Sequence, residues 1–463
     1  MNERMNQEFL LPDTYARHLY HTYAERLPIV DYHNHLSVEM FERDKNFENI
    51  TQLWISPDPY KHRAMRILGV PEKYITGEAS DYEKFEAWYR CLPRLVGNVL
   101  FDWSVIEFDR ILGIDLLPLQ KDVVGVWERI NIILQDLSAC KIMGKFDVRY
   151  NAPCTSLIDN LTCFEPQSGL CPSLRGDDIV AADPAFIRKL SQMTALPIST
   201  LVDYEQAITV RLKDFVAVGC YFTDHALDDG FQYVSEDGEN ESRFRKLLMG
   251  EDLSVTERTA LTSHLLRKLG GIYAKYHLTM QLHIGARRST SARLRQVTGP
   301  AGGYAAIGNC VEVASLVALL DDVERQPYGL PKVLLFSLNP ADNAVISTLS
   351  GSFSKDAVEA LISQGPAWWW CDHYQGIRDM LDHFAAFGVL STFVGMTTDS
   401  RSLLSFVRHD YFRRVLCGWI SERVAKGTMP DDETILADLI RKMCWENAAK
   451  LTNINMEKCE NAF

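Results

Sequence analysis

Two histidines, His33 and His35, close a short apolar run, Leu27–Tyr32, at a spacing of i, i+2. On an extended strand this spacing sends both imidazoles off one face and Asn34 off the other. Converging imidazoles become ligands for a divalent ion when a carboxylate joins them. Further residues able to do chemistry stand at the ends of later apolar runs: Arg175, Asp224 with His225, His283, Asn339, Trp368 and Trp369 with Asp372, and Asp399 with Arg401. Taken singly, most have ordinary readings. His225 or His283 alone reads as a core histidine, Asp399 before Ser400 as a helix N-cap, and Trp368–Trp370 as packing. Arg408, Arg413 and Arg414 read as a solvated or ion-paired helix face. The combination is what matters. Two His from one strand end, a third His and an Asp from two others, and an open position suit a catalytic metal site.

Eight short apolar or β-branched runs could carry these residues: Pro28–His33, Val148–Thr155, Leu170–Arg175, Phe215–Phe222, Leu278–Ile284, Val333–Leu338, Gly365–Trp370 and Leu390–Met396. Stretches of helical period separate them, an alternation that predicts an α/β chain folded as a (β/α)8 TIM-type barrel with its chemistry on the loops after the strands. The spacing is uneven, so most of Val38–Lys145 is expected to be a large helical insertion after the first strand, lying over the barrel mouth. Residues 420–463 are expected to close the fold with helices, and residues 1–463 to form a single domain.

Composition narrows the function. Of 463 residues, 47% are apolar and 24% charged, as in a globular protein with ample core. A net charge of −13 argues against nucleic acid or an anionic membrane as partner, so an anionic substrate must be met by local arginines. Met1–Pro12 lacks an apolar signal core and no run reaches membrane-spanning length, which predicts a cytoplasmic protein. The 11 Cys are irregularly spaced without CxxC or CxxH patterns, so scattered reduced thiols are expected and a zinc–cysteine site is not.

In their order these residues resemble the uronate isomerase (glucuronate isomerase) family of the amidohydrolase superfamily. The resemblance runs over nearly the whole chain: Asp31-Tyr-His-Asn-His35, Tyr60-Lys-His-Arg-Ala-Met-Arg66, Lys84-Phe-Glu-Ala-Trp88, Met280-Gln-Leu-His283, Leu338-Asn-Pro340, Trp368-Trp369 with Asp372, Thr398-Asp399-Ser-Arg401 and Arg408-His-Asp-Tyr-Phe-Arg-Arg414. It implies a barrel enzyme that interconverts aldose and ketose hexuronates, such as D-glucuronate with D-fructuronate and D-galacturonate with D-tagaturonate, through a cis-enediol. It also implies one divalent metal, typically zinc, on His33, His35 and Asp399, with His283 beside it. Tyr60 and Asp399 would transfer protons and Arg401 would hold the enediolate. Arg175 would meet the substrate carboxylate, with Trp368, Trp369 and Arg288 along the sugar site. The chain departs from the family pattern at Ser156–Asp159, Gly176, Ser289–Ser291 and Ala305, which puts the preferred uronate in question.

The chemistry also stands without the resemblance. Moving a carbonyl from C1 to C2 needs a base at carbon, a proton carrier between neighbouring oxygens and positive charge at the developing enediolate. Asp399, Tyr60 and Arg401 supply these, and a planar guanidinium such as Arg175 suits a carboxylate. The competing reading is a metal-dependent hydrolase of the same superfamily acting on a small acidic substrate. Leu338-Asn339-Pro340 offers no histidine after the sixth strand, which weighs against it. An inactive sugar-acid-binding protein is a third reading. A small-molecule sugar acid is the expected partner, and homo-oligomerisation is open.

Overall fold

The computed structural model describes residues 8–452 except 117, 118, 120, 166 and 167, together with residue 454. Seven parallel strands form one curled sheet in the order β1-β2-β3-β4-β5-β8-β9. They are β1 (Ile29–Asn34), β2 (Val148–Ser156), β3 (Ser173–Arg175), β4 (Phe222–Leu227), β5 (Thr279–Ile284), β8 (Val333–Ser337) and β9 (Ile362–Gln364). Strands β1, β5, β8 and β9 are buried at every position, as expected of a parallel sheet covered by helices. A short antiparallel hairpin, β6 (Ala286–Arg287) with β7 (Ala306–Ile307), leaves the top of β5 and carries residues 288–305 toward the barrel mouth.

The eighth strand expected at Leu390–Met396 does not form. A 3-10 turn spans Leu390–Thr392, and an irregular extended segment follows to Ser400. Two residues there adopt positive φ, Gly395 at 91° and Asp399 at 44°, so the backbone cannot hold a regular pleat. The segment still closes the barrel against β1. Asp399 N donates to His33 O at 3.1 Å, and His35 N donates to Ser400 O at 2.8 Å. Between them the Thr397 hydroxyl replaces a ladder amide, accepting from His33 N at 3.0 Å and donating to His33 O at 2.6 Å.

Asp31 makes this seam possible. Fully buried on β1, it accepts from Thr398 N at 2.7 Å and Thr398 Oγ1 at 2.7 Å, and its Oδ1, 2.9 Å from Thr397 Oγ1, shares that hydroxyl's one proton with His33 O. Asn34 Nδ2 donates to it at 2.8 Å and also to Asn151 Oδ1 of β2 at 2.6 Å. Burial alone would raise the Asp31 pKa. Hydrogen bonds from His409 and Thr398 outweigh that and hold it below the usual carboxylate range.

Two other expected strands are displaced. Phe215 belongs to the helix Leu201–Ala217, whose buried face (Leu201, Tyr204, Ile208, Leu212, Phe215) follows the helical period. Gly219, at φ 86°, lets the chain turn out of it, so β4 begins only at Phe222. Pairing of β9 with β8 ends at Gln364, and Trp369 to Cys371 form a 3-10 turn in place of strand. Between β1 and β2 lie the helices Glu39–Arg43, Pro59–Ile67, Asp81–Cys91, Val99–Glu107, Val123–Leu134 and Ala139–Lys145. Among the described residues, no helix is long and apolar enough to cross a membrane.

Arg408, Arg413 and Arg414 are not a solvated face. All three are buried on the helix Val407–Ala425, where Arg408 pairs with Asp372, Arg414 pairs with Asp410, and Arg413 donates to Pro28 O at 2.8 Å. Removing the carboxylate at the seam strands several buried donors at once. Asp31→Ala is therefore expected to cost about 3 kcal/mol or more in chemical denaturation. A loss below about 1 kcal/mol, the size of an ordinary substitution, would mean that the barrel closes by other means.

Candidate active site

The strand ends and loops bring the chemistry-bearing residues to one cavity of about 110 Å³ at the C-terminal end of the sheet. His33, His35, Tyr60, Arg175, His283, Arg288, Trp368, Trp369, Asp399 and Arg401 all line it.

His33 and His35 leave β1 on the same side. Asp399 Oδ1 lies 3.2 Å from His33 Nε2 and 3.0 Å from His35 Nε2. Trp368 Nε1 donates to the other carboxylate oxygen at 2.7 Å. Both oxygens are thus engaged, and the positive φ of Asp399 is the backbone adjustment that aims them. Burial raises the Asp399 pKa, but the hydrogen bonds and charge of the two histidines more than offset it, and the carboxyl sits well below its ordinary value.

Donors about 3 Å apart match the edges of a coordination shell whose ligands lie about 2.0–2.2 Å from a central ion. His283 stacks on Phe336, with its ring 4.4 Å from His33 and 4.7 Å from Trp368, and its buried Nε2 has no partner among the described residues. Burial, then the charge of His33, holds it well below the usual imidazole value, so it faces the site as a neutral base.

One neighbour was not anticipated. Cys154 Sγ lies 3.5 Å from His33 Nδ1 and 3.4 Å from Asp224 Oδ1. His33, His35 and Cys154 form a group whose potential ligand atoms all lie within 4.8 Å of one another. A cysteine thus stands beside the two histidines, a neighbour that the irregular cysteine spacing does not reveal. Its signal lies in strand register: Asn34 pairs with Pro153, so Cys154 sits one residue on, beside His35. No CxxC spacing could reveal that. The ten cysteines among the described residues are all free.

Tyr60 reaches the cavity from the helix Pro59–Ile67. Asp58 caps that helix, accepting from Tyr60 N at 2.9 Å and Lys61 N at 3.4 Å, with Pro59 pre-set in the first turn. Lys61 is buried against Trp54 and Trp88 and ion-paired to Asp58, which locks the helix start. The Tyr60 hydroxyl donates to Asp372 Oδ2 at 3.1 Å, and Arg408 Nη1 donates to the same oxygen at 3.1 Å. Trp370 packs on Tyr60, 4.9 Å between rings, and is absent from the cavity wall that Trp368 and Trp369 line.

Three arginines supply positive charge. Arg175, ending β3, donates to Asp177 Oδ2 at 2.8 Å. Arg288 donates to Asp228 Oδ1 at 2.8 Å with its guanidinium 5.7 Å from the Trp369 ring. Arg401 follows Asp399 on the same wall, and burial holds its pKa below the ordinary guanidinium value. The 288–305 loop is pinned to the Tyr60 helix: Arg63 Nη1 donates to Ala305 O at 3.2 Å, and a Cβ at Gly303 would collide with Pro59 O.

Residues 1–452 match the family model described as glucuronate isomerase. The chain belongs to the glucuronate isomerase family. It is an isomerase. It is 37% identical over 473 residues to the uronate isomerase of Caldanaerobacter subterraneus subsp. tengcongensis, covering 98% of this chain and 100% of that one. To the uronate isomerase of Clostridium perfringens it is 35% identical over 463 residues, covering 97% and 99%. The crystal structure of uronate isomerase from Thermotoga maritima superposes with a TM-score of 0.89 at 26% identity, covering 96% and 98%. That of glucuronate isomerase from Caulobacter crescentus shares the fold, with a TM-score of 0.87 at 20% identity and 96% of each chain covered. The barrel is therefore of the family's TIM type, closed on its eighth side by the irregular segment before Asp399.

The hydrogen bond from Trp368 orients a carboxylate that faces both histidines. Trp368→Phe keeps the ring and removes this donor. It is expected to weaken divalent-metal affinity about 10–100-fold, read by chelator competition. Unchanged affinity would show that Asp399 is oriented without it.

Proposed function

We propose that the protein interconverts aldohexuronates and ketohexuronates, D-glucuronate with D-fructuronate and D-galacturonate with D-tagaturonate, through a cis-enediol. The observation that supports it best is the convergence on one small cavity of a carboxylate between two imidazoles, a tyrosine hydroxyl and several guanidinium groups. A base, an oxygen-to-oxygen proton carrier and anion-holding groups are what this isomerisation needs.

His33, His35 and Asp399 would hold one divalent ion, zinc by the chemistry of the donors. When bound, it would orient the open-chain sugar and lower the pKa of a substrate hydroxyl. Asp399 moves the proton from C2 to C1. Tyr60 carries a proton between O1 and O2. Arg401 offsets the charge of the enediolate, and His283 flanks the reacting centre. Arg175 takes the substrate carboxylate, with Arg288, Trp368 and Trp369 along the sugar chain. Residues 1–463 act as one unit, in which 38–145 form the insertion that brings Tyr60 over the mouth. The substrate is a small sugar acid, and the reading places the enzyme in the cytoplasm.

A hydrolase reading has less support. After β8 the loop carries Asn339, whose side chain caps the following turn through Ala341 N and is committed to structure.

The test is to incubate the purified protein with a panel of aldohexuronates, with and without chelator, and follow the ketose by NMR. Ketose formation that chelation suppresses is expected; substrate cleavage with no ketose would overturn the assignment. Asp399→Asn should abolish measurable turnover while the protein stays folded, and a near-normal rate would refute its role. Arg401→Met should lower kcat about 10²–10³-fold, as for loss of one transition-state donor. Arg175→Met should act mainly on KM, because it removes binding shared by ground and transition states.

A further inference from the structure

Tyr60 stands between two cavities. It lines the site already described and also a second cavity of about 490 Å³. Asp372 lines only the second. It is 2% exposed, its Oδ2 meets the Tyr60 hydroxyl and Arg408, and its Oδ1 has no partner among the described residues. The tyrosine ring is clamped: Arg408 lies over it, 4.9 Å from its centroid, and Trp103 and Trp370 make T-shaped contacts with it at 5.6 and 4.9 Å. A phenol held this firmly against a buried carboxyl group is built for more than packing.

A tyrosine that gives a proton to O1 before taking one from O2 must pass through tyrosinate. Here burial pushes the Tyr60 pKa well above its ordinary value, so tyrosinate is strongly disfavoured. We propose that Asp372 is a positioning residue that holds the relayed proton behind Tyr60, so that the tyrosine donates and accepts without ionising. This rests on the reading of Tyr60 as the proton carrier.

The steps balance. With Asp372 protonated, the hydrogen bond between the two oxygens, 3.1 Å apart, runs from the Asp372 acid to the Tyr60 oxygen instead of the reverse, which frees the Tyr60 proton for O1. As Asp399 lifts the C2 proton, the Tyr60 O–H bond breaks toward O1, and the Asp372 acid O–H breaks toward the tyrosine oxygen. The enediol then releases the O2 proton to Tyr60, whose own proton returns to Asp372. The pair begins and ends with Tyr60 neutral and Asp372 protonated, and no co-reactant is consumed.

The acid form is available. Burial raises the Asp372 pKa to about 7, aided by the charge of Asp399 and opposed by Arg408 and the Tyr60 hydrogen bond. The other titratable and charged groups of the second cavity are Arg63, Asp102, His373, Tyr374 and Tyr411. Because the raised pKa favours the neutral acid, the competent form is present at lower pH and is lost as pH rises through about 7.

The test uses zinc-loaded enzyme and D-glucuronate. Asparagine at this position can still hydrogen-bond the tyrosine but cannot relay a proton. Asp372→Asn is therefore expected to lower kcat roughly 100-fold with KM changed less than about threefold, and to lose the fall in kcat on the alkaline side of neutrality. In a Tyr60→Phe background the same change should cost little further, because the relay is already broken. A folded Asp372→Asn enzyme with near-normal kcat or an unaltered pH limb overturns the proposal. Should that variant not fold, a wild-type kcat that stays flat through the neutral range overturns it equally. Tyr60→Phe separates the two levels. If it turns over normally, the Tyr60 reading itself fails. If it is inactive while Asp372→Asn is normal, only the relay fails.

Discussion

The fold depends on one buried carboxylate. Asp31 takes hydrogen bonds from Thr397 and Thr398 across the seam and from Asn34 within its own strand. A regular ladder does not form there, because Gly395 and Asp399 both have positive φ, and the two backbone bonds of Asp399 N and His35 N are supplemented by side chains. A side-chain clasp does the work of an eighth strand. The same constraint sets the chemistry. With Thr397 and Thr398 fixed against β1, Asp399 has little choice but to meet the imidazoles two residues beyond Asp31 and four beyond it. Closure of the barrel and assembly of the site are one event.

The buried charges around Tyr60 follow the same logic. Isolated charges in a dry interior are costly, and they persist when paired and hydrogen-bonded. Lys61 with Asp58 anchors the start of the Tyr60 helix, while Arg408 with Asp372 secures the far side of the ring. Each pair is nearly inaccessible to solvent. Replacing either with apolar groups could pack as well, but it would free the helix register that sets where the hydroxyl points. These contacts are retained for position, and the hydrogen bond from Arg408 to Asp372 holds whether or not the carboxyl is ionised.

Much of the site was legible because parallel barrels place chemistry after strands. His33, His35, His283, Asp399 and Arg401 could be picked out as polar residues ending apolar runs. Strand limits were less legible. Phe215 continues a helical face that an apolar-run reading cannot distinguish from strand, and the Trp368–Trp370 run begins only after β9 has ended. Cys154 was invisible for a different reason: its place beside His33 and His35 depends on how β2 registers with β1, a relation between segments far apart in sequence. The burial of Arg408, Arg413 and Arg414 was missed because arginines on a helix ordinarily face water, and only tertiary partners distant in the chain reverse that.

Two of the segments expected to depart from the family pattern, Ser289–Ser291 and Ala305, lie on the loop between β6 and β7. Ala305 and the loop before it reach the cavity on a two-residue hairpin, and they are held to the Tyr60 helix by backbone contacts from Arg63 and Arg66. Backbone contacts do not depend on the side chains that have changed. The loop can therefore vary in sequence, and with it the surface shown to the sugar, while the approach of Tyr60 is preserved. His33, His35 and Asp399 lie on the other side of that division, tied to the barrel seam itself.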